Sequence, residues 1–196
     1  MGVTSIDLQI LENLVKKYNP TKVIDLGAQN NYGQPLLPAP YMSEWWKAKG
    51  ILYDSIDMSD ENGCQVLDLS DLQSFEPQYD FVMDFGTQEH VGKNGAFSWE
   101  AIYNCYKNKF DLCRIGGLII SENPKTGNWP GHGFQFFTQD FYKQFARIAG
   151  FDIIQLAEIA AMGNTTDGWN VLAITVKISD VFPTLEEFKT LPLNRS

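Results

Sequence analysis

The chain carries only two histidines, His90 and His132, and each stands where its chemistry could be used. His90 directly follows Glu89, just beyond an apolar run that ends at Asp84. His132 lies in Asn128-Trp-Pro-Gly-His-Gly133, a glycine-flanked stretch downstream of Glu122. An imidazole titrates near pH 6.5, so either ring could take a proton from a substrate, with Glu89 and Glu122 as further candidates. The competing reading of His90 is a packed residue beneath the helix that follows it. His132, on its loop, reads as a contact to substrate.

A second set of residues suits binding rather than proton transfer. Asp25, Asp57 and Asp68 each fall at or near the end of a short apolar run, and Gly27 follows the first. A carboxylate placed there can accept from the paired hydroxyls of a ribose or from an exocyclic amine. Gly27 lets a ligand approach the backbone closely. Any one Asp could merely cap a turn or helix; three at matching positions favour a ligand.

Those residues need a scaffold, and the hydrophobic pattern supplies one. Thr4 to Tyr18 has helical periodicity through Ile6, Ile10, Leu14 and Val15, as a brace on a sheet or a lid over a pocket. Lys22–Leu26 reads as the first strand, followed by a loop through Asn30-Asn-Tyr-Gly33 and Pro35 to Pro40. A helix over Tyr41 to Lys49 closes at Gly50. Ile51 to Asp57, Cys64 to Asp68 and Tyr79 to Asp84 read as three further strands, the middle one weak. Ser98 to Ile115 reads as a long helix stopped by Gly116-Gly117, and Gly117 to Ser121 opens a fifth strand. A helix over Thr138 to Ala149 ends at Gly150. Phe151 to Ile159 and Trp169 to Ile178 read as an antiparallel pair joined by Gly163-Asn-Thr-Thr-Asp-Gly168. The tail beyond Asp180 is expected to be loosely held.

Alternation of strand and helix predicts an α/β fold with a mostly parallel sheet covered on both faces. Ligands in such folds bind beyond the carboxyl ends of the strands. That puts Gly27, Asp57, Asp68, residues 84–89 and residues 122–132 on one rim. Phe136, Phe137, Phe141 and Phe145 are expected to pack inward, with Trp129 and Tyr32 left to stack on a ligand.

The order and spacing of these stretches, from about Lys22 to about Ile178, resemble the class I S-adenosylmethionine-dependent methyltransferases. Asp25-Leu-Gly-Ala28 is similar to that family's first motif, around the methionine end of the cofactor. Asp57, with Met58 beside it, resembles the ribose-binding acid. Asp68-Leu69 resembles the pair that holds adenine, and Tyr79 to Asp84 the fourth motif. Glu89-His90-Val91 looks like the Glu-His-Val that often follows it, and Leu112-Cys-Arg-Ile-Gly-Gly117 like the turn into the fifth strand. The resemblance implies a doubly wound, three-layer, seven-stranded sheet whose last strand is antiparallel. It implies S-adenosylmethionine as cofactor, held by Asp25, Gly27, Ala28, Asp57, Met58, Asp68, Leu69 and Asp84. It departs from the family where Gln29 and Asn31 replace common glycines and Ile115 replaces a frequent proline.

Bulk properties narrow the rest. At 196 residues, a single domain is expected: an N-terminal helix to residue 20, a core over 22–178 and a tail over 180–196. The aromatics near the rim favour a small, partly apolar acceptor, and a formal charge of -9 argues against a nucleic acid, leaving a terminal nucleotide open. No run approaches the roughly 18 apolar residues of a membrane span, and the first residues lack a signal-peptide pattern. Cys64, Cys105 and Cys113 are odd in number and lack metal-ligand spacing; Cys105 and Cys113 are expected to share a helix. A reducing, cytoplasmic setting without a metal is the simplest reading. Two alternatives stay open: a nicotinamide-dependent enzyme, which calls for Gly-x-Gly-x-x-Gly, and a binding or scaffold protein that keeps the fold without catalysis. Oligomeric state and the methylated atom are left open.

Overall fold

Val23 and Ile24 are adjacent and both fully buried. Side chains alternate along a strand, so this segment must be covered on both faces. The computed structural model describes residues 2–31, 41–60, 63–76, 78–160 and 168–195, and it meets that requirement. Seven strands form one sheet: β1 (Lys22–Leu26), β2 (Leu52–Asp57), β3 (Gln65–Val66), β4 (Tyr79–Phe85), β5 (Cys113–Pro124), β6 (Phe151–Ala160) and β7 (Trp169–Lys177). Their order is 3-2-1-4-5-7-6, and β7 runs antiparallel to both of its neighbours. The other pairings are parallel.

Helices α1 (Ser5–Tyr18) and α2 (Met42–Ala48) cover one face through Leu8, Leu11, Leu14, Trp45 and Trp46, against Val23, Phe81 and Met83. Helices α3 (Trp99–Leu112), α4 (Gln139–Ala149) and α5 (Leu185–Phe188) cover the other through Ile102, Tyr106, Phe141 and Phe145, against Ile24, Val82 and Ile119. The expected doubly wound, three-layer arrangement is therefore present. None of the described helices is long and apolar enough to cross a membrane.

Local chemistry sets the helix ends. The Thr4 hydroxyl accepts from Asp7 N, and Asp7 Oδ2 accepts from Thr4 N at 2.7 Å, closing a capping box on α1. Ser98 and Thr138 cap α3 and α4 in the single-bond form. Gly150 closes α4 at φ 64, as expected.

Four expectations are corrected. Helix α3 stops at Leu112, not Ile115, because Cys113 turns extended and starts β5. The buried Lys177 ammonium donates to the carbonyls of Phe110 and Cys113 at 3.0 and 2.9 Å, taking up the end of the helix that the glycines were expected to terminate. Cys105 and Cys113 are therefore in different elements, as buried free thiols. The weak third strand keeps only Gln65–Val66, so Asp68 lies beyond it. The tail is not loose: Phe188 is fully buried among Tyr106, Phe141 and Phe145. The β6–β7 pair is antiparallel as expected, while the residues joining it, 161–167, fall outside those described.

Candidate functional site

The chain leaves β1 through Gly27, whose φ of 94° lies in the region that favours glycine. A Cβ there would also lie 2.3 Å from Thr87 Oγ1, so both conformation and space exclude a side chain. Thr87 donates that hydroxyl to Leu26 O at 2.7 Å, tying β1 to the loop after β4. Gln29, where a glycine is common in the resembling family, donates its amide to Leu26 O at 3.4 Å and to Thr87 Oγ1 at 3.3 Å. The turn is thus held by side-chain bonds rather than by a dense run of glycines.

A cavity of about 550 Å³ opens over this turn. Gly27, Ala28, Asp57, Met58, Asp68 and Leu69 all line it, so the sequence-predicted residues from three separate strand ends converge. Asp57 Oδ2 accepts from Ala28 N at 2.8 Å, and Oδ1 from Ser59 N at 3.2 Å, which clamps the turn to the end of β2. Asp68 is exposed and accepts from Ser70 N at 2.8 Å. Ile56 and Leu69 supply apolar wall, and His90 and Phe134 also line the cavity.

Asp25 and Asp84 stand elsewhere. Asp25 is fully buried on the α1–α2 face, outside the cavity lining, and accepts from the Tyr53 hydroxyl at 3.0 Å. Burial raises its carboxyl from 3.8 to about 7, with the Tyr53 bond opposing and the Asp84 charge adding. Asp84 is also fully buried and outside the lining. Its Oδ1 accepts from Thr87 N at 2.9 Å and Gln88 N at 3.3 Å, holding the 3-10 turn Gln88–His90. Its Oδ2 accepts from the Lys109 ammonium at 3.1 Å. Lys109 donates as well to Gln88 Oε1 and to Ser121 Oγ, and Gln88 donates to the Tyr142 hydroxyl at 2.9 Å.

Sequence reasoning missed this buried polar network. The available signal was Lys109 itself, which falls on the apolar stripe of α3 that includes Ile102, Cys105 and Tyr106.

That network presents Glu89 and His90 to the rim, and a second segment brings His132 to them. Phe134 N donates to Glu89 O at 2.7 Å, and the Gln135 amide donates to the carbonyls of Gln88 and Val91. Gly133, at φ 77, makes the approach possible: a Cβ there would lie 2.7 Å from Glu89 O. His132 Nε2 consequently stands 3.5 Å from Glu89 Oε1, and His90 Nε2 stands 3.6 Å from the same oxygen. The two imidazole rings meet edge to face at 4.7 Å. The side chains of His90 and His132 are 49% and 33% exposed, whereas that of Glu89 is fully buried. Burial raises the Glu89 carboxyl from 4.5 to about 7, His132 pulling it back and Asp84 adding to the rise. His90 is lowered, first by desolvation and then by the charge of His132.

The remaining candidates lie near this corner. Glu122 is buried at the end of β5, accepts from the Asn170 amide at 2.7 Å, and is raised well above its ordinary value by burial and by Asp7 of α1. Trp129 donates its indole N–H to Trp169 O at 3.3 Å and lies outside the cavity lining, so it packs on β7. Phe136, Phe137, Phe141 and Phe145 are buried, as expected. Tyr32 falls outside the described residues.

No protein-family model matches this chain, and no curated protein matches it in sequence. Solved structures do. The 1,6-didemethyltoxoflavin-N1-methyltransferase of Burkholderia thailandensis, solved with 1,6-didemethyltoxoflavin and S-adenosylhomocysteine, superposes with a TM-score of 0.62 at 14% identity, over 86% of this chain and 76% of its own. The N-methyltransferase NodS of Bradyrhizobium japonicum WM9 gives 0.60 at 9% identity, over 88% and 94%. The [4+2]-cyclase SpnF gives 0.58 at 11% identity, over 87% and 81%. Likeness at such identities speaks for architecture alone, and the cyclase shows that this architecture hosts more than one chemistry. With its 3-2-1-4-5-7-6 sheet and this set of neighbours, the chain has the fold of the class I S-adenosylmethionine-dependent methyltransferases.

Proposed function

We propose that this protein transfers a methyl group from S-adenosylmethionine to a small-molecule acceptor. The observation that carries the reading is the convergence of Gly27, Asp57 and Asp68, from three strand ends, on one cavity of about 550 Å³. That volume is within the range of small-molecule and cofactor sites. Glycine at position 27 is required by the turn itself, since a Cβ there would meet the Thr87 and Gln29 side chains. Asp57 and Met58 would meet the ribose, Asp68 and Leu69 the adenine, and the Gly27-Ala28 turn the methionine end. Asp25 and Asp84 stand outside the lining, Asp25 bonded to Tyr53 and Asp84 holding the Gln88–His90 turn.

When bound, the sulfonium supplies an activated methyl group, and the protein's task is alignment and exclusion of water. His90 lines the cavity, with His132 and Glu89 beside it, and this corner would face the acceptor. An acceptor hydroxyl or ammonium must lose its proton, and we assign the handling of that proton to this corner. A net charge of -9 supports a small acceptor over a nucleic acid.

Calorimetry with S-adenosylhomocysteine and NAD tests the reading. Saturable binding of the first and none of the second is expected. Binding of NAD alone, or of neither, would overturn it. The acceptor follows from screening phenols, amines and carboxylic acids for S-adenosylhomocysteine release.

A further inference from the structure

Glu89 poses a problem that a proton relay leaves unsolved. Its carboxylate is fully buried, and neither oxygen has a hydrogen-bond partner among the described residues. His132 Nε2 is buried and without a partner as well. An orphaned polar atom in an interior costs about 1–3 kcal/mol, and more when charged. Two of these atoms, Glu89 Oε1 and His132 Nε2, lie 3.5 Å apart, on segments fastened to each other through Phe134 and Gln135.

The separations explain what would satisfy them. Glu89 Oε1 lies 3.5 Å from His132 Nε2 and 3.6 Å from His90 Nε2, and one ligand atom from each of the three residues lies within 4.8 Å of the others. A tetrahedral ion with bonds of about 2.0–2.1 Å needs ligand-to-ligand edges of roughly 3.3–3.4 Å. Two edges are therefore near that length before any ion is present. They are too long for strong hydrogen bonds. Two imidazoles and one carboxylate are also a donor set that first-row divalent metals favour. The burial pattern is that of an open site: the carboxylate is sealed below, while both imidazoles reach solvent and His90 lines the cavity.

We propose that Glu89, His90 and His132 bind one divalent transition-metal cation of the Zn²⁺ or Fe²⁺ class at the edge of the cavity. The site deepens the methyltransferase reading and rests on it for its purpose. A cation there would hold an acceptor hydroxyl and favour loss of its proton to water. It occupies the lone pairs that a free histidine base would need, so the two uses of this corner exclude each other.

Metal-stripped, untagged protein is titrated with Zn²⁺ by calorimetry and with Co²⁺ by visible absorption, using Mg²⁺ as the oxygen-preferring control. The expected result is one saturable Zn²⁺ site, a Co²⁺ d–d band, and no competition from Mg²⁺. His90→Ala, His132→Ala and Glu89→Gln should each weaken Zn²⁺ binding by about 10- to 100-fold. His90→Ala alters a half-exposed side chain, so it keeps the test decisive if Glu89→Gln does not fold. With no other histidine in the chain, background binding should be low. No saturation by about 1 mM Zn²⁺ in folded protein, or equal affinity in His90→Ala and wild type, would overturn the proposal. S-adenosylhomocysteine is titrated into the same samples. Binding of it without Zn²⁺ binding defeats the metal site alone; Zn²⁺ binding without it defeats the methyltransferase reading and leaves the metal site standing.

Discussion

The turn at Gly27 and the corner at Glu89 both border one cavity and differ in how their polar groups are met. At the turn the backbone is paired, Ala28 N with Asp57, Gly27 N with Ile56 O at 2.7 Å and Leu26 O with Thr87 Oγ1, and the unpartnered atoms are single ones, Gln29 Oε1 and Asp25 Oδ1. At the corner, a buried carboxylate and two imidazoles approach within 3.6 Å without completing a hydrogen bond. A binding surface gains from being rigid and satisfied before its ligand arrives. A reactive one keeps lone pairs in reserve. Under the proposed function, the difference would separate the part of the cavity that holds the cofactor from the part that meets the acceptor.

Breaking the corner should have the largest effect. Replacing both His90 and His132 by Ala should lower S-adenosylhomocysteine formation, on the acceptor that screening yields, by about 10³-fold. Calorimetric affinity for S-adenosylhomocysteine should stay within about twofold, since the residues that would hold it are untouched. A parallel loss of affinity would erase the distinction between the two sides.

Next comes Asp25, fully buried on the strand that leads into the turn. Its carboxyl is raised from 3.8 to about 7, so the folded chain keeps a proton that the unfolded chain releases between those values. Stability must therefore fall as pH climbs from about 4 to 7, by up to about 4 kcal/mol from this group. Asp25→Asn should flatten that part of the curve in urea unfolding at stepped pH; an unchanged slope would mean the carboxyl is ionised inside.

Lys109→Met strips the ammonium from Asp84, Gln88 and Ser121 and should cost about 3–4 kcal/mol. Adding Asp84→Asn should restore part of the loss in a double-mutant cycle. Gly27→Ala meets Thr87 Oγ1 and an unfavourable φ, and should weaken S-adenosylhomocysteine on the order of 30-fold. Asp57→Asn, which softens one charge-assisted bond to Ala28 N, should weaken it by about tenfold.

How much of this could be read from the sequence depended on range. Strand β1 was legible to the residue because its burial on both faces and the glycine after it are local signals. The convergence of Gly27, Asp57 and Asp68 was legible because sheet order brings strand ends together by rule. The partners of Asp25 and Asp84 were not. Tyr53 and Lys109 reach them across 28 and 25 residues, by contacts that no local pattern encodes. The end of α3 was misplaced for the same reason, since the capping group, Lys177, lies 64 residues from Cys113. His90 and His132 were singled out as chemistry-bearing, but their meeting over one Glu89 oxygen depends on the close approach at Gly133.

The short pairings at the two ends of the described chain bear on how the molecule is made. Gly2–Val3 lies parallel to Asn30–Asn31, beside the turn, and Asn194–Arg195 lies antiparallel to Gln135–Phe136, behind the His132 segment. During synthesis the first fastening can form as soon as residue 31 clears the ribosome, whereas the second must wait for residue 195. Of the stretches that flank the cavity, the one that carries His132 is thereby the last to gain its backbone pairing.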